Sequence, residues 1–300
     1  VYTLEFLDDP HVFLAAAEPL LSAEPVRCTV IASVTARHLR GGASRPAGAP
    51  EPWWLVVRDA GGTVVGAGMR TAPLPPYPPY FVAMPDDAAR LVARTLHERG
   101  EAVEIVNGFV PTIDVLVAET LVLAGGTATE TERTSLYELT DLVEPTGVPG
   151  HLRVARDDEV DLVQGWFDAF GPDASEQAGR VDPHPAIETR ESTAARIAAG
   201  DVWLWETPDG VPAGVTAFNP ASFGVARVGP VFTPKEHRGH GYAAAGVAAI
   251  SRRLLDEGAR VCLFADAQNT TSTGVYVRLG FRPIAETGGL RLDRLDNRGR

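Results

Sequence analysis

The stretch Val228–Ala243, VGPVFTPKEHRGHGYA, constrains this 300-residue chain more than any other. Ala226–Phe232 predicts a strand, Pro234 stops it, and a turn punctuated by Gly239 and Gly241 opens directly into an alanine-rich helix, Ala243–Glu257. Glycine at these two positions removes side chains where the chain must tighten, so successive amides can point into one concavity. The helix that follows adds unpaired N–H groups and the positive end of its dipole. Together they predict a seat for a phosphate or pyrophosphate, with Arg238 as a fixed cation and Ala243, Ala244 and Ala245 leaving room for a ligand. A tight surface turn before an ordinary core helix has the same pattern, and the glycines alone do not choose between them.

Around this unit the elements recur in one order. In the first half, helical spacing at Val12–Leu21 and Val26–His38 precedes strand-like runs Trp53–Arg58, Thr63–Met69 and Tyr80–Met84, the first two joined by the turn Asp59–Gly62. A helix over Asp86–Glu98, a strand Val103–Val106, a helix Thr112–Leu123 and a strand Ser135–Leu139 follow. In the second half, strand Leu152–Ala155 leads to helices Glu159–Phe170 and Glu188–Ala199, then to a hairpin Val202–Glu206 and Val211–Phe218. Beyond the glycine turn come strand Val261–Ala265, helix Thr273–Leu279 and strand Leu290–Leu292. Each half thus reads as an antiparallel meander feeding a βαβ-like tail, an α/β (α+β) chain built by tandem duplication. The boundary falls at Pro145–Gly150, PTGVPG, giving domains 1–145 and 151–300. The tracts Gly41–Pro52 and LPPYPPY at Leu74–Tyr80 read as loops, the second a stiff one.

Composition removes several classes. The net charge is −12, divided as −9 over residues 1–150 and −3 over 151–300, with no basic run, which argues against a nucleic-acid binder and makes the second half the better seat for a polyanion. No apolar stretch approaches the ~18–20 residues of a spanning helix. The opening VYTLEFLDDP carries no basic n-region, so the expectation is a cytoplasmic chain without membrane contact. Cys28 and Cys262 stand alone, which predicts neither a disulfide framework nor a metal site. Arginine outnumbers lysine 26 to 1, suggesting a GC-rich bacterial source.

Two ligand readings compete for the turn. Gly239-His240-Gly241-Tyr242-Ala243-Ala244 satisfies G-x-G-x-x-A, the dinucleotide fingerprint, with Asp266 as a candidate ribose acid. That fingerprint directly follows a strand of a parallel sheet, whereas here Thr233–His237 intervene and the preceding strands are hairpin-linked. The alternative is Arg238-x-x-Gly241-x-Ala243 followed by Asn269, Ser272, Tyr276 and Leu279-Gly280-Phe281. This pair resembles the Q/R-x-x-G-x-G/A loop and the N-x-x-S-x-x-x-Y-x-x-x-G-F segment of the GCN5-related N-acetyltransferases (GNAT), over about residues 152–295.

The resemblance implies a fold of tandem GNAT-like domains, each a mixed, mostly antiparallel sheet flanked by helices. It implies acetyl-CoA as cosubstrate and no metal. By it, Val231 and Thr233 end the strand whose splay opens the cofactor cleft, and the amides of Arg238, Gly239, His240, Gly241, Tyr242 and Ala243 hold the pyrophosphate. Asn269 and Ser272 belong to the pantetheine side, and Tyr276 serves as general acid for the departing thiolate. The expected reaction moves an acetyl group to a primary amine of a small molecule or peptide by direct attack in a ternary complex. Glu206 is the candidate base, and acidity at Glu206 and Glu188 suits a cationic acceptor. His237 and His240 could serve as phosphate donors and Lys235 could meet the 3′-phosphate, but the better reading of each is a solvated loop residue. The first half departs from the pattern: where its loop should fall it reads MPDDA over Met84–Ala88, whose carboxylates repel a phosphate. It is therefore expected to be a degenerate domain without a cofactor loop. A non-catalytic acyl-CoA-binding module and a nicotinamide-dependent oxidoreductase are the other classes considered; the oligomeric state is left open.

Overall fold

A computed structural model of the chain describes residues 1–41, 46–177, 179 and 188–293. It has two compact units, one made of Val1–Thr134 with the chain from Ala285 onward, the other of Ser135–Ile284. Residues 42–45 of the expected loop Gly41–Pro52 lie outside the described residues.

Unit 1 runs β1 (Thr3–Leu7), α1 (Pro10–Ala23), α2 (Thr29–Leu39), β2 (Trp53–Arg58), β3 (Val64–Arg70), β4 (Tyr80–Phe81), α3 (Asp86–Glu98), β5 (Ile105–Phe109), α4 (Thr112–Ala124) and the first part of β6 (Thr127–Leu139). Local chemistry sets several of these limits. Asp9 caps α1 by accepting from the His11 amide at 2.7 Å, with Pro10 in the first turn. The Asp59 carboxylate accepts from the Gly61 and Thr63 amides, both at 2.9 Å, and closes the β2–β3 hairpin. The strands β1 to β4 pair antiparallel, and β4 pairs parallel to β5. The proline-rich tract is a loop pinned by buried Arg70, which donates to the Tyr77 carbonyl at 3.0 Å and to Glu101 at 2.7 Å.

Unit 2 holds the rest of β6, β7 (His151–Val154), α5 (Val160–Gln177), α6 (Arg190–Ala198), β8 (Val202–Glu206), β9 (Pro212–Ser222), β10 (Val225–Phe232), α7 (Tyr242–Asp256), β11 (Arg260–Asp266), α8 (Thr270–Arg278) and the start of β12 (Phe281–Asp293). Strands β7 to β10 are antiparallel neighbours in sequence order, and β10 pairs parallel to β11 with α7 as the crossover. Val247, Ile250 and Leu254 of α7 bury against Ala226, Val228, Val261 and Leu263, each large side chain contributing about 1.5–3 kcal/mol. Gly246 lets the helix sit close: a Cβ there would collide with the Thr216 hydroxyl of β9. Val160, Val163 and Phe167 of α5 pack on Leu204, Val215 and Phe232, which lays α5 over β8–β10.

Apart from β1, which the sequence reading did not predict, the order of elements matches it, and three extents differ most. β6 begins at Thr127 rather than Ser135, and β12 runs from Phe281 rather than Leu290. Ser135–Leu139 buries Tyr137 and Leu139 in unit 2, whereas Thr287–Arg291 of β12 pairs with β5 in unit 1. The division between units therefore runs through two strands, and the loop Pro145–Gly150 lies within unit 2. The third difference is α5, which continues past Pro172 to Gln177.

Candidate functional site

The β10–β11 ladder ends early. Its pairs run from Val225 opposite Arg260 to Val228 opposite Leu263, while β10 continues to Phe232 and β11 to Asp266. On the other side of β10, Val228 stands opposite Phe218 and Val231 opposite Thr216, so three steps along β10 match two along β9. Such a bulge bends its strand. Gly229–Phe232 and Phe264–Asp266 thus lie beyond the last pair of the parallel ladder, leaving a cleft with half-buried Val231 and Thr233 on its β10 side.

From β10 the chain passes Pro234, makes one 3-10 turn over Lys235–His237, and reaches Gly239 at φ +82° and Gly241 at φ +84°. Both are left-handed, the region glycine enters without a Cβ penalty. Among the described residues, the amides from Gly239 through Ala244 donate to no acceptor; the first amide of this stretch to do so is Ala245, to the Gly241 carbonyl at 3.0 Å. No side chain caps α7, and its first turn carries no acid. The first N–H groups of any helix lack an intrahelical partner, and the two left-handed glycines extend this run into the loop, which suits an anion. The loop is held from outside the cleft. Tyr242 is buried and stacks on Trp205 at 6.0 Å and on His240 at 5.3 Å, so its ring anchors the loop. His240 Nδ1 lies 3.2 Å from the His237 carbonyl. Arg238 donates from Nε to the Thr233 carbonyl at 3.0 Å and from Nη2 to Asp173 Oδ2 at 2.6 Å. Lys235 pairs with Glu176 at 2.6 Å in solvent, where such a pair adds little stability.

Asn269 is buried and caps α8, its Oδ1 accepting from the Ser272 amide at 3.0 Å, so Ser272 contributes its backbone here. Gly280 follows α8 at φ +99°, and any Cβ there would land on the Asp141 carbonyl. Tyr276 packs edge-on against Phe281 at 6.1 Å, and both Tyr276 and Val231 border the core cluster that includes Val228 and Leu263. Burial pushes the Tyr276 hydroxyl up to about 12, and among the described residues it has no hydrogen-bond partner. The hydroxyl is therefore protonated at neutral pH.

The carboxylates expected to serve an acceptor are differently employed. Glu206 accepts from Arg153 Nε at 2.5 Å and lies 3.8 Å from His151. The Arg153 hydrogen bond holds its carboxyl below the ordinary carboxylate range, which makes it a weak base. Arg153 also grips Glu159 at 2.7 Å, so Glu206 belongs to a network that ties β7 to β8. Glu188 is buried and bound to Arg196 at 2.7 Å, and Arg196 in turn donates to the Phe218 carbonyl at 2.9 Å. Asp266 accepts from the Gln268 amide at 2.8 Å in a local turn, and the antiparallel neighbours of β10 are not those of a dinucleotide-binding sheet. The sequence reading did not mark Asp173 and Gln177, which reach Arg238 and Asn269; Pro172 reads as the end of α5 and hides the turn that carries them. No group of three or more His, Cys, Asp or Glu among the described residues could hold a metal ion, and none of the described helices is long and apolar enough to cross a membrane.

Residues 223–288 match the family model of FR47-like proteins, a segment that runs from the start of β10 into β12 and contains both motifs. No curated protein matches the chain. Among solved structures, a GNAT-family acetyltransferase from Colwellia psychrerythraea is 10% identical, with 98% of this chain and 100% of that one covered at a TM-score of 0.52. A GCN5-related N-acetyltransferase from Sphaerobacter thermophilus is 15% identical over 98% of this chain and 96% of its own, TM-score 0.56. A tandem GNAT protein from the clavulanic acid biosynthesis pathway is 18% identical over 97% of this chain and 98% of its own, TM-score 0.56. The segment that contains both motifs carries the family match, and the whole chain carries the fold: the protein has the fold of the GCN5-related N-acetyltransferases.

Proposed function

We propose that this chain transfers an acetyl group from acetyl-CoA to a primary amine of a small molecule or peptide, by direct attack in a ternary complex. The observation that carries the reading is the run of unsatisfied amides from Gly239 to Ala244, set beside a parallel strand pair that separates after Val228. Six successive donors without an acceptor among the described residues fit a pyrophosphate, and the separated strands leave backbone at Val231 and Thr233 for an extended amide-bearing arm. Acetyl-CoA supplies the acyl group. Asn269 offers its side-chain amide to the arm. Tyr276, neutral and without a competing partner, holds a proton for the leaving sulfur. Glu206 is given no proton-accepting role, because Arg153 stabilises its charged form.

Unit 1 is proposed to be the degenerate partner domain, without a cofactor. Its parallel pair is two residues long, Tyr80 opposite Asn107 and Phe81 opposite Gly108, and a Cβ at 108 would strike the Phe81 backbone. Thr112 Oγ1 accepts from the Met84 amide at 3.1 Å, and α3 opens with Asp86 and Asp87 at the end a phosphate would need.

Calorimetric titration with acetyl-CoA, with NADH as control and Arg238→Glu beside it, tests the reading. Binding of acetyl-CoA that the variant loses supports it and leads to an amine screen by thiol release. NADH binding with no response to acetyl-CoA would overturn it. Binding without turnover on any amine would leave an acyl-CoA-binding module.

A further inference from the structure

A line of side-chain hydrogen bonds joins the two motifs through residues that neither motif contains. Arg238 donates to Asp173 Oδ2 at 2.6 Å, Gln177 Nε2 donates to the same oxygen at 2.6 Å, and Asn269 Nδ2 donates to Gln177 Oε1 at 3.0 Å. At the far end, Asn269 Oδ1 accepts from the Ser272 amide. The ends decide every orientation between them. A backbone N–H can only donate, so Asn269 turns its oxygen to Ser272 and its nitrogen to Gln177. A carboxylate can only accept, so Gln177 turns its nitrogen to Asp173 and its oxygen to Asn269. Neither amide can flip without placing like against like.

This leaves Asn269 with its oxygen accepting from Ser272, one N–H donated to Gln177 and a second N–H that meets nothing among the described residues. We infer that Asp173 and Gln177 are positioning residues: they fix Asn269 as a hydrogen-bond donor, so that this side of the cleft selects a carbonyl oxygen of the ligand's arm. The inference rests on the acetyl-CoA reading above and says which atom of Asn269 does the binding and what holds it there. It also explains why α5 continues beyond Pro172. Deleting the last turn would remove Asp173 and Gln177 together, and with them the only side chains that tie Arg238 to Asn269 among the described residues.

The test is titration of the full chain with two probes: coenzyme A, and its nucleotide part alone, 3′-phosphoadenosine 5′-diphosphate, which lacks the arm. Gln177→Leu should weaken coenzyme A about tenfold, the worth of one well-aligned hydrogen bond, and leave the nucleotide unchanged. Asp173→Asn still accepts from Gln177 and should stay within about threefold of wild type for coenzyme A, whereas Asp173→Leu should match Gln177→Leu. Should Gln177→Leu fail to fold, the two Asp173 variants read the same line from its other end. Equal weakening of both probes would show a merely structural role and overturn the inference. Unchanged or tighter coenzyme A binding by Gln177→Leu would overturn it as well. A wild-type chain that binds neither probe would remove the acetyl-CoA reading and this inference with it.

Discussion

Replacing Gly241 by alanine probes the amide cradle at its tightest point. The residue sits at φ +84°, and a Cβ built there approaches Val148 Cγ2 to 3.2 Å. Holding an L-residue in the left-handed region costs about 1–2 kcal/mol, and Val148 adds crowding. The variant has two ways to respond. If the backbone stays in place, stability falls by that amount, or roughly 2–8 °C in Tm for a domain of this size. If the backbone leaves the left-handed region, the amides of Tyr242 and Ala243 turn away from the concavity. Each hydrogen bond to a charged group contributes about 1.5–3 kcal/mol, so losing one raises the Kd for acetyl-CoA at least about tenfold. Gly239→Ala separates strain from crowding, because Gly239 has φ +82° with nothing within 4 Å of its Cβ position. Differential scanning calorimetry and isothermal titration on both variants read the two responses. A Gly241→Ala chain that keeps its Tm within about 1 °C and its Kd within about twofold would refute the assignment of the cradle.

Three further outcomes are expected. Tyr276→Phe keeps the contact with Phe281 and should lower kcat about 10²-fold with KM for acetyl-CoA unchanged; the wild-type rate should show no alkaline fall centred near the ordinary tyrosine value of 10.0, because the hydroxyl is pushed up to about 12. Glu206→Gln should leave turnover within about threefold of wild type while altering acid stability. Because Arg153 lowers the folded-state pKa of Glu206, its contribution is present above the ordinary carboxylate value and is lost as pH falls through the lowered one; thermal melts from about pH 6 down to 3 should show a shallower acid limb for the variant. Burial raises the Cys28 thiol to about 12, and Cys262 is also buried, so a thiol reagent at about pH 8 should find neither cysteine in the native chain and both after unfolding.

The parts of the site that could be read from the sequence are those whose cause is local. Gly239 and Gly241 announce left-handed backbone, and the alanine run after them announces a helix. Each depends on neighbours within one turn of chain. Other features depend on partners far away. Thr127–Thr134, TATETERT, has no apolar face and gives no strand signal until a neighbouring strand supplies the pairing. Gly288 and Gly289 suggest a turn but lie within a strand, where a Cβ would come 2.9 Å from the Glu132 carbonyl and 2.5 Å from the Thr131 hydroxyl. Pro172 predicts a helix end, yet α5 continues because Asp173, Glu176 and Gln177 each find partners across the unit. Glu206 looks like an available base until Arg153, 53 residues earlier, takes its charge.

So the left-handed glycine turn and the order of strands and helices after β1 were determined by the sequence itself, through φ preferences and period. The point where β10 parts from β11, the upward shift of the Tyr276 hydroxyl and the commitment of each carboxylate were decided by the tertiary structure, because ladder length, desolvation and ion pairing are properties of two segments brought together rather than of either one.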